Sequence, residues 1–191
     1  MTSLHDKAMR DLQHIRAAMD GATRFTGVSG WGEMLMGATA LGAAAIAQRQ
    51  PSEDRWLAVW LLEALLAAAI GVGAMVMKSR RLRRSLLAQP ARKLALGLAP
   101  ALVAAAALTV LFVRLELIAW LPGLWLLLYG IAVVGGGAFS VPTVPAMGAA
   151  FMVVGVAAML AGPELGNLFL AVGFGGLNLL FGAVIWRRHG G

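Results

Sequence analysis

Apolar residues fill six long blocks of this chain, separated by short polar breaks: Trp31–Ala47, Trp56–Met77, Leu94–Val113, Leu117–Phe139, Ala146–Gly162 and Leu168–Trp186. A helix rises about 1.5 Å per residue and the hydrocarbon core is about 30 Å thick, so about 20 mainly apolar residues cross a bilayer. The pattern predicts an all-α integral membrane bundle of six transmembrane helices. Ahead of the first block the period changes. Leu4, Ala8, Leu12, Ile15 and Met19 recur at spacings of three and four, on one helical face, with Lys7, Arg10, Asp11, Gln13, Arg16 and Asp20 elsewhere. Ser3 and Asp6 start that helix in the manner of a capping box, and Gly21 and Gly27–Gly30 end it. The expected organisation is an amphipathic helix over residues 1–25 and a six-helix membrane domain over residues 26–191.

Charge sets the threading. Lys78, Arg80, Arg81, Arg83, Arg84, Arg92 and Lys93 lie between the second and third blocks. Lys7, Arg10, Arg16 and Arg24 precede the first block, and Arg187 and Arg188 follow the last. The opposite loops hold only Arg49, Arg55 and Arg114. Positive charge in short loops marks the cytoplasmic side, so both termini and the amphipathic helix are expected there, in the bacterial cytoplasmic (inner) membrane. Glu53, Asp54, Glu116 and Glu164 fall in the outer loops. Trp31, Trp56, Trp120 and Trp186 fall near block ends, where amphipathic rings favour the headgroup layer. The uncharged Ser140–Pro145 connection marks a break through Pro142 and Pro145 and favours neither side.

Composition narrows the function classes. Sixty per cent of residues are hydrophobic and 13% are charged, against roughly 25% charged in a soluble domain. The formal charge of +7 is spread over loops, without the folded basic face that nucleic-acid binding needs. No cysteine is present, and His5, His14 and His189 all lie outside the apolar blocks. Intramembrane zinc, haem ligation and a membrane serine protease therefore lack their residues. No phosphate loop or paired acidic motif occurs. No enzyme, cofactor or metal is expected. Ala45-Ile46-Ala47 has the small residues of a signal-peptide cleavage site, but about 30 residues of mixed charge precede the block, so the first span is expected to stay as an anchor.

Chemistry at membrane depth must use the few polar residues inside the blocks. Counted from the nearest block end, Glu63 lies about 10 Å deep and Thr39, Tyr129 and Asn178 about 12–17 Å deep. An ionisable side chain facing lipid costs at least about 2.5 kcal/mol, so Glu63 is expected to face the bundle, a cavity or a second subunit. It then serves as a structural interhelical hydrogen-bond partner, handles a proton or cation, or meets a headgroup or partner. Tyr129 and Asn178 read first as helix–helix hydrogen-bond partners. Glu33, a turn or less inside the interface, carries less weight. Gly135–Gly137 and Gly173, Gly175 and Gly176 read as close-packing positions, or as a hinge of the kind transporters use. Arg80, Arg81, Arg83 and Arg84 would attract anionic lipid.

The stretch Ile15-Arg16-Ala17-Ala18-Met19 with Ala22-Thr23-Arg24-Phe25-Thr26-Gly27-Val28-Ser29-Gly30, and the stretch Gly173-Phe174-Gly175-Gly176-Leu177-Asn178 through Arg187-Arg188-His189-Gly190-Gly191, resemble a family of small, uncharacterised bacterial multi-helix membrane proteins. The resemblance implies a bacterial inner-membrane address and no activity. The first and last helix pairs also share a loop containing Pro and Glu and a basic end, a pattern that internal repeats and ordinary positive-inside hairpins both give. The expected role is a non-catalytic accessory, scaffold or sensor protein whose partners are the bilayer and, through the N-terminal helix, a cytosolic protein or second copy. The alternative is a small oligomeric ion- or proton-coupled transporter or channel using Glu63.

Overall fold

The computed structural model describes Leu12 and residues 28–81, 89–138 and 140–189. Apart from Leu12, the expected N-terminal helix lies outside these residues, as do Arg83 and Arg84. The described chain is helical, with no strand. Helix α1 is Gly30–Ala47, α2 is Glu53–Arg81 and α3 is Gln89–Arg114. A 3-10 turn, Ile118–Trp120, leads into α4, Leu121–Gly137, and α5 is Thr143–Ala161. The last segment, α6, is composite: a 3-10 turn Pro163–Leu165, an α-helical piece Gly166–Leu170, a π-helix Ala171–Leu177 and an α-helical piece Asn178–His189. Five stretches are long and apolar enough to cross a membrane: Glu53–Lys78, Ala95–Arg114, Ile118–Gly137, Thr143–Ala161 and Pro163–Arg188. Helix α1 is not among them. It has 18 residues, and Glu33, Thr39 and many small residues dilute its hydropathy.

Local chemistry explains the breaks. Pro51 follows α1, while Glu53 and Asp54 place negative charge at the start of α2, where the helix dipole favours it. Glu116 takes a left-handed φ of 58° in the turn after α3, and Gly162 a φ of 93° after α5. The Pro-rich connection ends α4 at Gly137, and α5 begins at Thr143, taking Pro145 into its first turn, where a missing N–H is tolerated. The π-helix in α6 was not expected from the sequence. It coincides with Gly173, Gly175 and Gly176, and π segments are rare and often sit at functional sites.

Helices α1, α4, α5 and α6 form the centre. Helix α2 packs along α1, α3 packs along α4, and α2 and α3 make no extensive contact with each other. Glycines set the closest approaches. A Cβ on Gly148 would lie 2.7 Å from the Gly130 carbonyl, and one on Gly130 would lie 2.6 Å from the Gly148 carbonyl, so α4 and α5 meet backbone to backbone. Gly30 and Gly182 do the same for α1 and α6, at 2.7 and 2.8 Å. Leu121, Leu126, Met147, Phe151, Leu170 and Ile185 are fully buried. Outward-facing positions are also apolar: Leu65 is 70% exposed and Leu160 84%, the surface of a bundle whose solvent is lipid.

The two ends of the bundle differ in charge. At one end Gly30 lies against Trp186, the Lys78 ammonium donates to the Val28 carbonyl at 3.1 Å, and Arg80, Arg187 and Arg188 are exposed. At the other, exposed Glu53 and Glu164 border a hollow of about 340 Å³.

Candidate functional site

Between α2 and α3 the bundle holds a cavity of about 540 Å³, within the range of small-molecule sites. Small residues are prominent in its walls: Ala64, Ala67, Ala68 and Gly71 on α2, and Ala105 and Ala106 on α3. Small residues in membrane helices usually let backbones close up; here the pair stays apart, and the missing side-chain volume becomes the cavity. Ala64, Ala68, Leu102 and Ala106 line it and are nevertheless exposed. The cleft therefore opens sideways, on the apolar flank. Its lining on α2 runs from Trp60 to Met75, about 22 Å of helix.

One end is closed by aromatic rings. Trp56 and Trp125 stack with centroids 5.9 Å apart and planes 4° from parallel, and Trp60 tilts against Trp56 at 6.4 Å. The Trp125 indole donates to the Thr109 hydroxyl at 2.8 Å, and that hydroxyl lies 2.7 Å from the Ala105 carbonyl. Asn167 ties the group to the bundle. Its Oδ1 accepts from Trp56 Nε1 at 3.2 Å and Trp60 Nε1 at 3.1 Å, while its Nδ2 donates to the Ala44 carbonyl at 3.0 Å and to Gln48 Oε1 at 2.9 Å. Trp56, near the start of α2, is thus held by neighbouring helices, while Trp120 and Trp186 are exposed at helix ends.

The four sequence candidates fall around this cavity. Glu63, Tyr129 and Asn178 line it, and Thr39 touches it through Glu63, whose Oε1 lies 2.8 Å from the Thr39 hydroxyl. That hydroxyl also lies 3.0 Å from the Met36 carbonyl. A hydroxyl has one proton and cannot fully serve two acceptors; a protonated Glu63 carboxyl would donate to the Thr39 oxygen and leave the Thr39 hydroxyl to donate to the Met36 carbonyl. Tyr129 packs edge-on against Phe151 and Phe174, at 4.8 and 5.2 Å. Asn178, the residue after the π-helix, donates from Nδ2 to the Phe174 carbonyl at 2.9 Å.

Two cavity residues were underweighted in the sequence. Glu33 is buried, within electrostatic range of Tyr129, and its Cβ lies against Gly182 of α6. Ser29 occupies the N-cap of α1, a position where serine usually caps the helix, yet its side chain makes no cap bond and lines the cavity. Only the burial of their helix start by α6 reveals them, and nothing in local hydropathy signals that. Of the arginines expected to meet anionic lipid, Arg80 is exposed at the basic end; the side chains of Arg81, Arg83 and Arg84 lie outside the described residues. Among the described residues no three His, Cys, Asp or Glu come together as a metal site, and the cavity lining holds no Lys, Arg or His.

No protein-family model, curated protein or solved structure matches the chain.

Proposed function

We propose that this is a six-helix protein of the bacterial inner membrane, with both termini cytoplasmic, acting without catalysis as a sensor or accessory protein. Its cleft between α2 and α3 takes up a lipophilic small molecule from the bilayer. The observation that carries this reading is the cavity of about 540 Å³ that opens on the lipid-facing flank through exposed alanines. Apolar walls with a few polar groups are the usual make-up of a small-molecule site. On this reading the amphipathic N-terminal helix passes the bound state to a cytosolic partner or a second copy.

Filling the cleft tests this. Ala67→Phe and Ala105→Phe together place two rings in the cavity without touching its polar groups. Wild-type protein purified in mild detergent should retain about one lipophilic molecule per chain by native mass spectrometry, and the double variant should lose it at unchanged helix content. Equal retention would overturn the reading.

A second reading, proton-coupled transport, is favoured by the shared Thr39 hydroxyl beside Glu63. It needs a polar route to both membrane faces, and the stacked Trp56 and Trp125 stand across one of them.

A further inference from the structure

Three polar atoms lining the cavity have no hydrogen-bond partner among the described residues: Ser29 Oγ, Glu33 Oε2 and Asn178 Oδ1. Their residues are only 4%, 9% and 4% exposed. Buried polar groups are paired in all but a few cases, and leaving one unpaired costs about 1–3 kcal/mol, so three in one cavity call for a common cause. They lie on adjoining helices. Ser29 and Glu33 lie one turn apart on α1. Gly182 packs against the Glu33 Cβ, and Asn178 lies one turn before Gly182, so it sits about a turn deeper in the bundle than Glu33. Two of the three are acceptors, the Asn amide oxygen and a carboxyl oxygen, and the hydroxyl can accept as well.

From this we infer that the Ser29–Glu33–Asn178 cluster is a headgroup site, selecting an amphiphile whose head donates hydrogen bonds and carries no negative charge: a hydroxyl or an amine. The inference rests on the uptake of a lipophilic molecule proposed above and specifies its chemistry. No Lys, Arg or His lines the cavity, and the nearby Lys78 ammonium donates to the Val28 carbonyl, so a phosphate or carboxylate head would find few donors there. The position fits an amphiphile. Ser29 and Glu33 sit at the start of α1, at the basic end of the bundle where an interfacial head would lie, with Asn178 deeper, while apolar walls lead on to Trp60 and Trp125. A chain entering between the exposed alanines of α2 and α3 would lie along those walls.

The test is a matched series differing only in the head: hexadecane, hexadecanol, hexadecylamine and palmitic acid, each competing with a fluorescent alkyl probe on the full-length protein in detergent. Hexadecanol or hexadecylamine should compete about tenfold better than palmitic acid and hexadecane, the scale that one or two recovered hydrogen bonds supply. The two arms separate the sources. An amine that outcompetes the alcohol, with the advantage erased in Glu33→Gln, identifies a cationic head; equal alcohol and amine identify a hydroxyl-type donor. Glu33→Leu with Asn178→Leu should abolish the preference while leaving hexadecane competition in place. If that variant fails to fold, the wild-type series decides alone. Binding of all four molecules with equal strength would overturn the headgroup site and leave the apolar cleft standing. No binding of any, hexadecane included, would overturn the cleft and this inference with it.

Discussion

Single side chains carry much of what distinguishes this bundle from a generic one. Asn167 uses both amide ends, accepting from two indoles on α2 and donating to α1. Asn167→Leu would leave Trp56, Trp60 and the Ala44 carbonyl without those bonds. Hydrogen bonds between membrane helices average well below their value in a dry interior, and Trp56 borders the open hollow at the acidic end, where water can replace the lost partner. The expected loss is therefore about 1–2 kcal/mol, read as a lower thermal midpoint with red-shifted tryptophan emission. An unchanged midpoint would show that the rings are held by stacking alone. Glu63 separates the two functional readings. As a structural partner of Thr39, Glu63→Gln should be nearly silent in stability and Glu63→Leu should cost about 1 kcal/mol; as a coupling site, Glu63→Gln should stop pH-driven flux in proteoliposomes. We expect no flux from either protein. Glu63 could be found in the sequence because one carboxyl within a long apolar block is conspicuous. Glu33 carried little weight there and Asn167 none, since each sits near a block edge and owes its surroundings to helices far away in the chain.

At the scale of helices, apolar length was enough to locate the elements, and the observed helices agree with the expected blocks to within a few residues at most ends, although α1 falls short of the other five in apolar length. Glycine content likewise pointed to close packing. Which glycines pair is a matter of register between helices distant in sequence, and hydropathy contains no information about it. The structure separates them. Gly148 would drive a Cβ into the backbone of both Gly130 and Val134 at 2.7 Å, whereas a Cβ on Gly73 meets nothing within 4 Å. Gly148→Ala should therefore force α4 and α5 apart and cost about 1–3 kcal/mol. Gly73→Ala should be neutral or gain up to about 1 kcal/mol from helix propensity. Thermal unfolding in one detergent compares them, and equal midpoints would show that the α4–α5 contact is looser than described. The glycine cluster of α6 is divided. Gly173 and Gly175 pack against Leu126 and Leu41, while Gly176 faces open space within the π-helix. An α-to-π change alters backbone pairing without altering composition, so the sequence gives no sign of it.

For the molecule as a whole, the decisive feature is polarity along the bundle. Thirteen of the sixteen Lys and Arg residues belong to segments expected on one side. Packing supplies an independent argument that those segments share an end. Gly30 at the start of α1 lies against Trp186 near the end of α6, and Lys78 near the end of α2 reaches the Val28 carbonyl just before α1. The start of α1, the end of α2 and the end of α6 therefore meet at one pole, and Glu53 and Glu164 at the other. Short basic segments resist translocation, so the basic pole should face the cytoplasm. The chain has no cysteine, and single cysteines can be placed without a background. Ser52→Cys, beside Glu53, should react with an impermeant maleimide added to intact cells, or to spheroplasts where an outer membrane blocks the reagent. Ser85→Cys and Gly190→Cys should react only after the membrane is permeabilised. Labelling at 85 and 190 from outside, with 52 protected, would invert the molecule and place the polar end of the cavity on the outer face. Labelling of 52 and 85 from the same side would mean that α2 does not cross the membrane, and the six-span arrangement would fall.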